Sequence, residues 1–447
     1  MRLPKTPPPI RELLGSMDGE KLIALISSGA ANLPPGRYEH WDKIRYLTPP
    51  PKLTREEWWI ALKLGRSSTA KKLPFLSTDG RNFEYTLPDF LHERLHRIDQ
   101  DASGRVELPS EVTNPNLRDR YLISSLFEEA IASSQLEGAS TTHHVAKAML
   151  REGRKPANRS EQMIFNNFRA MEFVREHVKD DLNEALLLEL HRIVTDGTLD
   201  ESHAEGRFRI ESDEVVVIDN RDNSVLHKPP PSSELSSRLQ ALCDFANSRE
   251  VSQTSFIHPV VRSILLHLMI GYDHPFVDGN GRTARALFYW SMARHKYWMM
   301  EFVSISAIIR RAPVQYTRAY LYTETDEFDA TYFLDYNLRV ITSAITKLHQ
   351  YLARKSEEVR SVDELLGSSD LNHRQIALIS HAIKHPGTAY TIESHRKSHG
   401  VTYQTARTDL LKLADERLLI LSKRGREYSF RSVADIEAQL GRRSGAV

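Results

Sequence analysis

Two glycines, Gly279 and Gly281, break an otherwise helical pattern inside the string His274-Pro275-Phe276-Val277-Asp278-Gly279-Asn280-Gly281-Arg282-Thr283-Ala284-Arg285. Before the string, Val260, Val261, Ile264, Leu265 and Leu268 recur at helical spacing behind Pro259, a residue suited to a first turn. After it the helical pattern resumes from about Gly281 to Lys296. The fold must therefore bring the end of one helix and the start of the next together at a glycine turn. Glycine reaches backbone conformations closed to other residues, so N–H groups can crowd around an anion there. The N-terminus of the second helix adds unpaired N–H groups and a partial positive charge. Arg282 and Arg285, three apart, leave the same side of that helix, and two guanidinium groups suit a polyphosphate better than a single carboxylate. Asp278 is a hard oxygen ligand of the kind that holds Mg2+ against phosphate oxygens. His274 carries the one side chain here that titrates near neutrality, so it can take a proton from a hydroxyl. Phe276, between these polar groups, is expected to anchor the loop in the core.

The rest of the chain sets the frame. Its 447 residues exceed one ordinary core, so two or three domains are expected. A hydrophobic share of 40% and a charged share of 27% are those of a globular protein, and a net charge of +1 argues against a polyanion binder as a whole. One cysteine, Cys243, excludes an internal disulfide and reads as a packed thiol. The N-terminus has no signal-peptide pattern, and no apolar run reaches the ~20 residues that span a bilayer. The expected location is cytoplasmic, with no membrane partner.

Nine of the 21 prolines fall in the first 51 residues, so residues 1–115 read as a proline-rich arm with helices. Thr54-Arg-Glu-Glu57 is a capping box there. From 116 to 354 nearly everything reads as amphipathic helix, with Leu122, Leu126, Ala130 and Ser133 on one face. The exception is the β-branched run Glu214–Ile218, followed by a turn and by Val225–His227, which reads as a hairpin. Residues 355–370 are charged and serine-rich and read as a linker, and 371–447 form a last module. That module carries 13 Lys and Arg against 7 Asp and Glu, a net of +6 that leaves the remainder near −5.

The string 274–285 resembles the signature of the Fic family, without a departure. Gly206-Arg207-Phe208-Arg209 is similar to that family's Gly-x-x-Arg segment, and the hairpin resembles its flap, with Val215, Val216, Val217 and Ile218 docking the target. Ser133-Ser134-Gln135-Leu136-Glu137-Gly138 resembles its inhibitory motif. The resemblance covers about 116–352. It implies a mainly α fold, a helical core with a β-hairpin flap. It also implies transfer of AMP from ATP, with Mg2+, to a Ser, Thr or Tyr hydroxyl of a target protein. By position, His274 is the base and Asp278 the metal ligand. Gly279, Asn280 and Gly281 cradle the phosphates, Asn280 near the α-phosphate. Arg282 meets the β- and γ-phosphates and Arg285 the γ-phosphate. Glu137, with Ser133 and Gly138 in its motif, would withhold Arg285 and switch the site off. Removal of AMP by the same site, or a DNA-binding regulator whose Fic domain senses nucleotide, stand as alternatives. The target, nucleotide preference, self-modification and homodimer formation stay open.

Leu371–Phe430 resembles a winged helix-turn-helix, with Thr391 and Thr402 capping its second and third helices and Gly400 ending the second. If it binds DNA, Gln404, Thr405 and Arg407 lie where base contacts arise, and Lys423, Arg424 and Arg426 form a wing that meets phosphate. A protein-contact module is the competing reading.

Overall fold

The computed structural model describes residues 2–15, 17–27, 36–102, 115–219, 221–248, 256–367, 371–384, 387–424, 427–436 and 438–440. The chain divides into two compact units, Met1–Leu348 and His349–Val447. Among the described residues no helix is long and apolar enough to cross a membrane.

The first unit opens with α1 (Ile10–Gly15), α2 (Gly19–Ser27), α3 (Trp41–Ile44) and α4 (Arg55–Ser67). The Thr54 hydroxyl accepts from Glu57 N–H and the Glu57 carboxylate accepts from Thr54 N–H, closing the capping box at the start of α4. A hairpin follows that the sequence reading does not anticipate: β1 (Lys71–Leu76) pairs antiparallel with β2 (Asn82–Tyr85). Pro74 inside β1 hides it, because proline withholds a ladder donor and argues against a strand. The pair tolerates it with an irregular register between Lys72 and Leu76. Leu73, Phe75, Phe83 and Tyr85 enter the same core as the helices that follow, so the region before residue 115 is not only an arm.

Those helices are α5 (Asp89–Ala102), α6 (Pro115–Leu136), α7 (His143–Glu152), α8 (Arg159–Glu176) and α9 (Glu184–Thr195). The short hairpin β3 (Val217–Ile218) and β4 (Val225–His227) comes next, then α10 (Leu235–Asn247), α11 (Pro259–Asp273) and α12 (Asn280–Arg294). The unit is completed by α13 (Ser306–Ile309), α14 (Pro313–Thr325) and the start of α15 (Thr331–Gly367). α11 is buried along almost its whole length, from Val260 to Asp273, and α12 from Asn280 to Met292. Helices buried on nearly every side belong at the centre of a core, and the others pack around this pair. Cys243 is buried in α10, and burial pushes its thiol up to about 11, the inert setting expected of a packed cysteine.

The segment read as a linker, 355–370, is helical as far as Gly367, and 368–370 lie outside the described residues. Its Lys, Glu, Arg and Leu residues form helix readily, and no proline or internal glycine interrupts them before Gly367.

The second unit contains α16 (His373–Lys384), β5 (Ala389–Thr391), α17 (Ile392–His399), α18 (Tyr403–Asp415), β6 (Leu419–Arg424) and β7 (Glu427–Ser432). The sheet is antiparallel in the order β5-β7-β6. Thr391 and Thr402 cap α17 and α18, and Gly400 ends α17 in a left-handed conformation (φ +61°), as the spacing predicts. Ile379, Ala406, Leu410, Leu413 and Phe430 form its core. The buried Asp409 carboxylate ties three elements together, accepting from Asn372 Nδ2 at 2.8 Å and Arg374 Nε at 2.7 Å and facing His395 Nε2 at 3.3 Å.

Candidate active site

The loop between α11 and α12 is held from below. Phe276 is fully buried, and the Asn280 amide grips its backbone from both sides, Oδ1 accepting from Phe276 N at 3.0 Å and Nδ2 donating to Phe276 O at 2.8 Å. The Asn280 side chain is thus committed to the loop. What it can offer an anion is its backbone N–H, the first of α12. Gly279 caps α12 with φ +83°, and a Cβ there would stand 2.9 Å from Thr195 Cγ2. Both facts require glycine.

His274 ends α11 in a left-handed conformation, φ 46° and ψ 56°. Its Nδ1–H donates to Gly271 O at 3.2 Å, which leaves the Nε2 lone pair as the basic site. Burial lowers its pKa to about 4, so the ring is neutral at pH 7. An NMR titration tests this: the His274 resonances, assigned by comparison with a His274→Ala variant, should stay at neutral-ring positions down to roughly pH 5.5, whereas an unperturbed imidazole would be mostly protonated by then. A midpoint near 6.5 contradicts the burial argument.

Both arginines are buried, each about 1% exposed, yet they are partnered very differently. Arg282 Nη1 donates to Val194 O at 2.9 Å. Its Nε and Nη2 have no hydrogen-bond acceptor, Nη2 reaching only a 3.5 Å ion-pair approach to Asp278 Oδ2. Burial lowers its pKa. Orphaned donors on a buried cation are costly and call for an acceptor. Arg285 is satisfied: Nε donates to Ser133 Oγ at 2.8 Å, and Nη2 donates to Ser133 O at 3.0 Å and Glu137 Oε1 at 2.9 Å. Burial opposes its charge, but Glu137, Tyr316 and Glu129 outweigh burial and raise its pKa. Glu137 directly follows α6, and Gly138 turns the chain away with φ +94°. The Glu137 carboxylate lies against the first turn of α12, since a Cβ on Gly281 would meet Glu137 Oε1 at 2.2 Å. α6 is pinned there by Glu129, whose buried carboxylate accepts from Tyr289 Oη at 2.9 Å, Ser304 Oγ at 2.8 Å and Ser306 N at 3.1 Å.

Asp278 is half exposed, its Oδ1 accepting from Gly279 N at 2.5 Å. Among the described residues no group of three His, Cys, Asp or Glu could hold a metal. A single open carboxylate still fits Mg2+, which commonly takes one or two protein carboxylates and completes its shell with phosphate oxygens and water.

The hairpin β3–β4 pairs Val217 with His227 and Ile218 with Val225. Ladder structure starts later than the sequence pattern: Glu214 is left-handed (φ 44°), and Val215 and Val216 lie before the strand. Val216 and Ile218 are exposed while Val215 and Val217 are half-buried, the alternation of a strand with one open face. Two residues outside the string join this hairpin to the loop. Arg209 donates through Nε to His274 O at 2.8 Å and through Nη2 to Asp273 O at 3.1 Å and Pro230 O at 2.5 Å. His191 bonds Gly206 N and Asp278 O. The sequence reading marks Arg209 but misses His191, a lone histidine in the apolar helix α9 with no local signal to set it apart.

In the second unit Gln404 is exposed and Arg407 half-buried near the start of α18. Thr405 Oγ1 pairs with Thr402 Oγ1 at 2.9 Å. Lys423 is exposed, with its ammonium 6.0 Å from the Tyr428 ring centre. Arg426 lies outside the described residues, as does the side chain of Arg424.

Residues 181–292 match the Fic/DOC family. The protein adenylyltransferase Fic of Nematostella vectensis is 26% identical over 202 residues, 44% of this chain and 43% of that protein. The protein adenylyltransferase Fic of Drosophila willistoni is 29% identical over 177 residues, 38% of this chain and 32% of that protein. The chain therefore spans less than half the length of these curated relatives. A solved Fic family protein from Desulfovibrio desulfuricans shares the fold, with a TM-score of 0.54 at 22% identity over 78% of this chain and 98% of that one. Residues 181–292 are thus similar to the Fic/DOC family, and the larger fold around them is shared with that structure.

Proposed function

We propose that the chain transfers AMP from Mg2+-bound ATP to a Ser, Thr or Tyr hydroxyl of a target protein, and that Glu137 holds the site off. The observation that carries this is the pair of arginines: Arg282 has buried donors without acceptors, and Arg285 has its Nη2 on a carboxylate that lies over the cradle. A polyphosphate would satisfy the first and must compete with Glu137 for the second. His274 Nε2 takes the proton of the target hydroxyl as its oxygen bonds to the α-phosphorus and the bond to pyrophosphate breaks. Asp278 is the residue that would hold Mg2+, which when bound neutralises charge on the phosphates. The α12 N–H groups and Arg282 bind and orient the anion. The open edge of the hairpin at 215–218 offers backbone to an extended target segment.

Incubation with ATP labelled at the α-phosphate should label protein, and ATP labelled at the γ-phosphate should not. Label from the γ-position would mean a kinase-type transfer and overturn the reading. The Glu137 carboxylate, which lies against Gly281 of the same loop, also favours AMP removal by the same site, with Glu137 orienting water. Loss of label from a modified target on adding unlabelled enzyme tests that reaction.

A second reading concerns residues 371–447. The order α16-β5-α17-α18-β6-β7 with sheet order β5-β7-β6 supports a winged helix, and the exposed Gln404 and Lys423 and the half-buried Arg407, with a net charge of +6, support duplex DNA as its partner. Full-length protein should retain random duplex on a filter at low salt and lose it as salt rises. If Arg407 reads a base, Arg407→Ala should cost about 1–3 kcal/mol, roughly tenfold or more in affinity. Retention that ignores salt counts against DNA.

A further inference from the structure

We infer that His191 is a positioning residue that fixes the peptide plane between Asp278 and Gly279 and so aims the Gly279 N–H at the incoming phosphate. The inference deepens the nucleotide-site reading and rests on it. His191 projects from α9, is completely buried, and stacks flat on Phe276, with ring centres 3.7 Å apart and an interplanar angle of 1°. Its two nitrogens have partners of opposite kind. Gly206 N–H can only donate, and reaches Nδ1 at 3.1 Å. The Asp278 carbonyl can only accept, and stands 2.9 Å from Nε2. The ring is therefore neutral with its proton on Nε2.

The consequence follows from the planar trans peptide, in which C=O and the next N–H point in opposite directions. With the Asp278 carbonyl drawn inward by His191, the Gly279 N–H must face outward. Its acceptor is the half-exposed Asp278 carboxylate, Oδ1 at 2.5 Å, which puts the N–H on the open side of the loop. The same peptide is at risk of turning over. Gly279 must be glycine because Thr195 and His191 crowd its Cβ position and its φ is +83°, and glycine also tolerates the flipped conformation. A flip would present the carbonyl oxygen to the phosphate in place of the N–H. His191 also ties Gly206, three residues before Arg209, to the cradle, so one side chain couples the segment leading into the hairpin to the anion loop.

Two substitutions separate hydrogen bonding from stacking, both made in the full-length Glu137→Gly protein. His191→Gln keeps one donor and one acceptor but loses the ring. His191→Phe keeps the ring but loses both bonds. The readouts are the dissociation constant for Mg2+-ATP by calorimetry and the melting temperature. His191→Phe should weaken ATP binding about tenfold, the worth of a hydrogen bond to a charged group, and His191→Gln should stay within about threefold of the parent. The opposite order, equal losses, or no loss in either variant would overturn the proposal and leave His191 a packing residue. Should His191→Phe not fold, His191→Gln decides alone: retained affinity supports the proposal and a tenfold loss overturns it. A parent that fails to bind ATP overturns the nucleotide reading itself, and the proposal with it.

Discussion

Glu137→Gly should raise AMP transfer, and binding of Mg2+-ATP with it, by about 10–100-fold, the factor expected when a charge-assisted hydrogen bond worth roughly 1.5–3 kcal/mol becomes available to the substrate. In the resting chain Arg285 Nη2 donates to Glu137 Oε1 at 2.9 Å, and the carboxylate lies against Gly281 at the helix N-terminus where an anion would rest. Removing it frees the arginine and the space together. Arg285 does not become an orphan, because its bonds to Ser133 Oγ and Ser133 O remain, so the stability cost should be about 1–3 kcal/mol rather than global unfolding. α6 should stay in place, since Glu129 anchors it independently through Tyr289, Ser304 and Ser306. The measurement is the initial rate of α-phosphate label incorporation with saturating target or in self-modification, beside calorimetric ATP affinity. Equal rates and equal affinity in the two proteins would refute inhibition by Glu137.

His274→Ala should cut transfer by about 10²–10⁴-fold, the usual range for a positioned general base, while ATP affinity changes little. The ring accepts through Nε2, its Nδ1–H being held by Gly271 O, and it contributes no charge to the cradle because burial keeps it neutral. Loss of rate without loss of binding is thus the pattern specific to a base. It is best measured in the Glu137→Gly background, where the rate is high enough to lose several decades. A parallel fall in ATP affinity would instead mark His274 as a structural cap whose left-handed conformation shapes the loop. Undiminished labelling would refute the base assignment outright.

Local chemistry made part of this protein legible before any coordinates. The glycine turn between two helices, the capping box at Thr54, the caps at Thr391 and Thr402 and the hairpin ending at His227 all depend on residues a few positions apart, so a short stretch of sequence contains the whole cause. The β1–β2 hairpin was not legible, because Pro74 argues locally against a strand and only the core contacts of Leu73, Phe75, Phe83 and Tyr85 repay it. The segment 355–367 looked like a linker because it is charged, yet charged residues are also good helix formers. His191 carried no local mark at all: its role comes from Phe276, Asp278 and Gly206, which lie 85, 87 and 15 residues away in the chain.

The sequence by itself determined which groups are present at the turn after α11: an imidazole, a carboxylate, two glycines and two arginines, fixed by spacing that any helix–turn–helix path would preserve. Tertiary structure decided how those groups are occupied. Folding placed Glu137 148 residues upstream within 2.9 Å of Arg285, left two donors of Arg282 without acceptors, and turned the Asn280 side chain inward to bind Phe276. The physical reason is the short reach of hydrogen bonds and ion pairs. Residue types set what each group is able to bind, but which partner stands within about 3 Å depends on how distant helices pack.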